Sequence, residues 1–128
     1  MSLTKKFDDA HATYRRHGWR LVRVLARPET LEALRADAQG EADASYEGAP
    51  VSEADVDAMW FTRASQGGRE AWELRLVAEP PYALFELFEP DESEEDREDV
   101  RREMEARLRE YVSPREVSGE ARGEADSQ

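Results

Sequence analysis

Glu86 stands out as the acid most in need of an explanation in this sequence. It falls in YALFELF, Tyr82 to Phe88, and the two-residue period of a strand puts it on the same side as Leu84 and Phe88. A carboxylate among apolar neighbours needs a partner, because removing it from water without one is costly. Arg23 and Arg75, on the same predicted sheet face, are the candidate partners. In a pocket, Glu86 would be the acid or base and Arg23 or Arg75 would hold an anion. At a protein interface the same residues are a structural ion pair, which is the simpler reading.

A second charged group is YRRHGWR, Tyr14 to Arg20, where Arg15, Arg16 and Arg20 could contact an anion or an acidic partner. Cations at a helix C-terminus also complement its dipole, so the cluster has a structural explanation. His11 and His17 are six residues apart and fall on different sides of a helix, not at the four-residue spacing that converges on one metal. The acidic run DESEEDRED, Asp91 to Asp99, lacks the glycine and ligand spacing of an EF-hand and reads as a solvated helix start. Gly67-Gly68 lies between two strands and reads as a turn. The sequence contains no nucleophile elbow, phosphate-binding loop, dinucleotide fingerprint or zinc-protease motif. Cysteine is absent, which excludes disulfides, thiolate metal sites and cysteine nucleophiles. Neither a metal nor a cofactor is expected, and the non-enzymatic reading is preferred.

The elements that position these residues follow from periodicity. Phe7, Ala10 and Tyr14 make a helix over 5–17, capped by Thr4 and ended by Gly18. Trp19 to Ala26, rich in branched residues, is a strand, and Pro28 opens a helix over 28–39 with the stripe Leu31, Leu34, Ala38. Residues 41–56 show no sustained period and read as a long connection, with one helical turn from Ser52 as an option. Strands over 57–64 and 70–78 flank the turn SQGG, and a third runs from Tyr82 to Glu89 after Pro80-Pro81. Ser93 caps a final helix over 94–112, with Val100, Met104, Leu108 and Tyr111 as its stripe and Pro114 as its stop. Glu98/Arg102, Glu103/Arg107 and Glu105/Arg109 are its expected ion pairs. The expectation is a single α+β domain over 1–113 and a disordered acidic tail over 114–128. The fold is a small two-layer sandwich of order α-β-α-β-β-β-α, with a mainly antiparallel four-stranded sheet and all helices on one face.

Alternation divides that sheet into two faces. Val22, Val24, Ala26, Met59, Phe61, Trp72, Leu74, Leu76, Ala83, Phe85 and Leu87 form the set expected under the helices. The opposite set carries Trp19, Arg23, Trp60, Arg75, Tyr82, Glu86 and Phe88, and large aromatics left in water mark a contact surface. Helix 5–17, the 41–56 connection, a second subunit or a ligand are the candidates to cover it.

Composition sets the class of partner. The 128-residue chain has 30 acidic and 18 basic residues, a formal charge of −12, and sixteen of the basic residues are arginine. Residues 1–35 carry eight basic against four acidic side chains and residues 36–128 ten against twenty-six, so the halves are +4 and −16. Such a chain repels nucleic acid and anionic lipid, and no apolar run is long enough to cross a bilayer. With no apolar leader in MSLTKKFDD, a cytoplasmic protein is expected. Few lysines and many acids suit high internal salt, although a GC-rich genome produces the same arginine bias. The preferred function is self-association, as a homodimer, or binding of a protein partner through the aromatic face. The alternative is a small-ligand binder or enzyme with a pocket there.

Overall fold

The computed structural model describes residues 3–37, 45–78 and 80–117. Helix α1, Leu3–Arg16, buries Phe7 and Ala10 and half-buries Tyr14. It begins before Thr4, which therefore lies in the first turn instead of capping it. At the other end Gly18 takes φ +87°, and the amides of Trp19 and Gly18 donate to the carbonyls of Tyr14 and Arg15, each at 3.0 Å. This is a Schellman stop, which needs a residue without Cβ at the left-handed position.

Strand β1, Arg20–Ala26, and helix α2, Pro28–Asp37, follow as expected, with residues 38 and 39 of the predicted helix outside the described residues. The 41–56 segment is the first correction. From residue 45 it holds β2, Ser45–Tyr46, and β3, Ala49–Glu53, instead of an irregular connection or a helical turn. Glu47 and Gly48 take φ +50° and +84°, the two positive values a tight hairpin turn requires. β3 runs parallel to β1, with α2 in the crossover between them. Strand β4, Ala58–Ala64, turns through Gln66–Gly68 into β5, Glu70–Leu76, and β6, Tyr82–Phe88, completes the sheet. Its order is β2-β3-β1-β4-β5-β6. The fold is α+β, but its sheet is mixed and six-stranded, not antiparallel and four-stranded.

The last helix, α3, Glu94–Val117, makes the second correction. Ser93 caps it as expected, its hydroxyl accepting from the Asp96 amide at 3.1 Å. The helix continues through Pro114: a proline near a helix end removes one amide donor while its fixed φ remains helical. The proposed tail from residue 118 onward lies outside the described residues. Instead of joining α1 and α2, α3 lies on the opposite side of the sheet. Phe7, Ala10, Leu31 and Leu34 pack with Val24, Ala26, Met59 and Phe61 on one face, while Met104 and Leu108 pack with Leu25, Ala58, Trp60, Leu74 and Leu76 on the other. The architecture is three layers, because both faces of the central strands are apolar and each requires a cover.

The two covers are offset. α1 and α2 sit over β1, β3 and β4, and α3 sits over β4, β5 and β6. The first face of β6 therefore extends past α1, and that offset positions everything below.

Candidate functional site

Register redistributes the candidate residues. A β-bulge between Leu21 and Arg23 shifts β1 by one residue, so Trp19 and Leu21 share the α1 face with Val24 and Ala26. Met59 pairs with Arg75 and Phe61 with Glu73, which places Arg75 on the α1 face as well. Trp72, Leu74 and Leu76 move the other way, to the α3 face with Trp60, Tyr82, Glu86 and Phe88. Trp19, Trp60, Tyr82 and Phe88 thus belong to two faces, not one, and most of them already have a cover. Trp60 is 3 % exposed and Phe88 1 %. Trp60 Nε1 donates to Glu105 at 2.8 Å, Tyr82 stacks on Tyr111 at 3.8 Å, and the Arg97 guanidinium lies 5.6 Å from the Phe88 ring centre. The cover is α3, which was not among the expected candidates.

Glu86 is half-buried on the α3 face and cross-strand from Trp72, with no hydrogen bond or ion pair among the described residues. Arg75 lies on the other face. Arg23 is exposed on the α3 side, where it adds to the pull of Arg101, the nearer and larger influence, in holding the Glu98 carboxyl below its usual range. The structure does not bring Glu86 together with either arginine.

The other charged groups have local roles. Arg15, Arg16 and Arg20 are exposed at the α1–β1 junction. The acidic start of α3 is laced to arginines: Arg101 bonds Glu94 and Glu98, Arg102 bonds Asp99, and Arg97 reaches Glu70 at 3.0 Å. Of the expected helix pairs only Glu103–Arg107 forms, at 3.3 Å, since Glu105 is taken by Trp60. His11 packs between Tyr46 and Phe61, and His17 Nδ1 donates to the Thr13 carbonyl at 2.8 Å. Among the described residues no three His, Asp or Glu side chains converge as metal ligands would.

Two cavities flank the covered core. One, of about 330 Å³, opens between Arg27, Asp57, Leu76, Val77 and Tyr111. Its buried acid, Asp57, is saturated: it accepts from the Arg27 amide at 2.9 Å, from the Arg27 guanidinium at 3.2 Å and from the Thr30 hydroxyl at 2.9 Å. Those bonds clip β4 to the start of α2, a structural task that occupies Asp57.

The second cavity, of about 560 Å³, lies between α1 and β5. Lys6, Asp9, Ala10, Thr13 and Tyr14 line it from α1, Arg75 from β5, and Val77, Ala78 and Pro81 from the β5–β6 connection. The Tyr14 hydroxyl donates to Glu73. Arg75 Nη1 is buried without a hydrogen-bond partner. Buried donors are nearly always satisfied, and an unsatisfied one on a cation marks an incomplete site. Sequence reading named Arg75 but missed Tyr14, Glu73 and Lys6. The i,i+2 pair of Glu73 and Arg75 was visible, but its position beneath α1 depends on the β1 bulge and the β4–β5 register.

Tyr14 and its counterpart Tyr46, whose hydroxyl donates to Asp8 at 2.5 Å, report on this side of the sheet. Burial, and then the hydrogen bond to a carboxylate, push both phenols well above their usual pKa. The folded state therefore holds these protons more tightly than the unfolded chain, whose tyrosines titrate near ~10. Their contribution is complete below that value and is lost as pH rises through the folded values. Denaturant midpoints should fall from about pH 9 to about pH 11, and less steeply in a Tyr14→Phe/Tyr46→Phe double variant. Parallel curves for the two proteins would contradict this assignment.

The chain matches no protein-family model, no curated protein and no solved structure.

Proposed function

We propose that this chain is an interaction protein that pairs with a second copy of itself through β6. The reading is carried by Phe85, 56 % exposed beside Leu87 at 39 %, on a strand that among the described residues has a neighbour on one side only. Edge strands are usually blunted by proline, lysine or a bulge, and Tyr82–Phe88 has none of these. Trp19 extends the apolar strip, its ring 6.4 Å from that of Phe85 and edge-on to it.

The strand is also self-complementary. Antiparallel partners share a face, so a two-fold axis can pass through Leu84, Phe85 or Glu86. An axis at Glu86 opposes two carboxylates, which is unfavourable. An axis at Leu84 leaves Leu87 beyond the partner strand. An axis at Phe85 pairs all seven residues, sets the two Phe85 rings together, and opposes Ala83 to Leu87 and Leu84 to Glu86. On the uncovered face Leu87 meets Ala83 and Phe85 meets its own copy, and no like charges meet.

Each chain carries −12, so association works against repulsion at low salt. Screening shortens from about 10 Å at ~0.1 M to about 3 Å at ~1 M, and the dimer fraction should rise with salt. Sedimentation equilibrium at both salts should show that rise, while Phe85→Arg stays monomeric with unchanged circular dichroism. A native chain that remains a monomer throughout the micromolar range in ~1 M salt would overturn the reading.

A further inference from the structure

We propose that the cavity between α1 and β5 is a binding site for a small organic carboxylate, held by the guanidinium of Arg75. The volume, about 560 Å³, is that of a small-molecule pocket. Its wall carries a charge that the fold leaves unanswered. Arg75 Nη1 is buried and unpartnered, and Arg75 makes no ion pair among the described residues. Its cross-strand neighbours, Met59 and Ala83, carry no charged or oxygen acceptor in their side chains. Glu73, two residues along the same face, is engaged by the Tyr14 hydroxyl.

The surroundings select the anion. Lys6 adds a second positive charge at the lining, and the charge of Asp9 is offset by Lys5 at 3.1 Å. Glu73 remains close by, so the site favours a single negative charge over a phosphate dianion. A planar carboxylate fits the guanidinium fork with two parallel hydrogen bonds. Ala10, Val77 and Pro81 supply an apolar wall for the rest of the molecule. The occupant is therefore a monocarboxylate with a hydrocarbon or aromatic body. Binding supplies the counter-charge that Arg75 lacks and fills the cavity in one step.

The site is separate from the β6 edge and is tested separately. Benzoate, octanoate, benzamide and inorganic phosphate are titrated into the ¹⁵N-labelled full chain, and amide and arginine Nε–H shifts are followed. Benzoate or octanoate should give saturable shifts at α1 and β5, including Arg75. The uncharged benzamide should bind at least about tenfold more weakly, as expected for loss of a charge-assisted hydrogen bond. Arg75→Gln should abolish the response, whereas Arg102→Gln, exposed on α3 across the sheet, should leave it intact. If Arg75→Gln does not fold, Lys6→Ala should weaken benzoate severalfold, and the benzoate–benzamide comparison in the native chain needs no variant. Absence of saturable shifts at millimolar carboxylate, equal binding of benzamide, or tighter binding of phosphate would each overturn the proposal.

Discussion

Phe61→Ala should lower the unfolding free energy by about 3–5 kcal/mol, the usual cost of truncating a fully buried phenylalanine. Phe61 is fully buried in β4, which is hydrogen-bonded to β1 on one side and β5 on the other. Two paired neighbours prevent the backbone from closing the space. Tyr14 stacks on the Phe61 ring at 4.1 Å and 9°, so truncation also removes the surface that holds Tyr14 against Glu73. Single domains are stable by only about 5–15 kcal/mol, which makes this a large fraction of the total. Urea melts should show a lower midpoint at unchanged slope. A loss under about 1 kcal/mol would mean that α1 does not pack over Phe61 as described.

Leu108→Ala should cost about 2–5 kcal/mol, because Leu108 is fully buried in the seam between α3 and the sheet. The substitution tests the second cover directly. Beneath it lie Trp60, Leu74 and Leu76, and a loosened α3 would also release the Trp60–Glu105 hydrogen bond. Thermal melts followed by near-ultraviolet circular dichroism and by tryptophan fluorescence give the size of the loss. A change within about 0.5 kcal/mol, normal for a surface position, would place Leu108 in solvent and leave the aromatic face without its cover.

Both variants probe packing that periodicity anticipates only in part. Leu108 belongs to an evident helical stripe with Val100, Met104 and Tyr111, so its burial was readable, whereas the face it covers was not. Phe61 alternates with Trp60 in either register, yet which of the two meets α1 depends on pairing with β1. The bulge after Leu21 is one residue long and changes the neighbours of every strand residue before it. No local propensity signals that residue, since its cause is the fit between β1 and β4. The same limit concealed β2 and β3, two and five residues long, whose pairing is rewarded only once α2 has returned the chain to the side of β1. Their local signal was the Glu47-Gly48 turn.

The offset of the two covers is the least legible feature and the most consequential. Apart from Glu86, YALFELF is apolar on both sides, which reads as two buried faces, but only the Phe88 side is buried. The Phe85 side extends past α1, and that overhang produces both the exposed strip and the cavity at Arg75.

Short-range patterns in the chain were enough to define the three helices, the strands β1, β4, β5 and β6, the glycine stop after α1, the serine cap of α3 and the absence of thiol chemistry. These depend on interactions spanning a few residues, where propensity, capping and alternation act directly. Tertiary packing decided strand order, the bulge, the side on which α3 docks, and therefore which charges meet. Arg75 came to face a cavity beneath α1, and Glu86 came to lie on the opposite face. Those outcomes are set by competition for apolar surface among segments far apart in sequence, and each segment's own pattern is compatible with more than one of them.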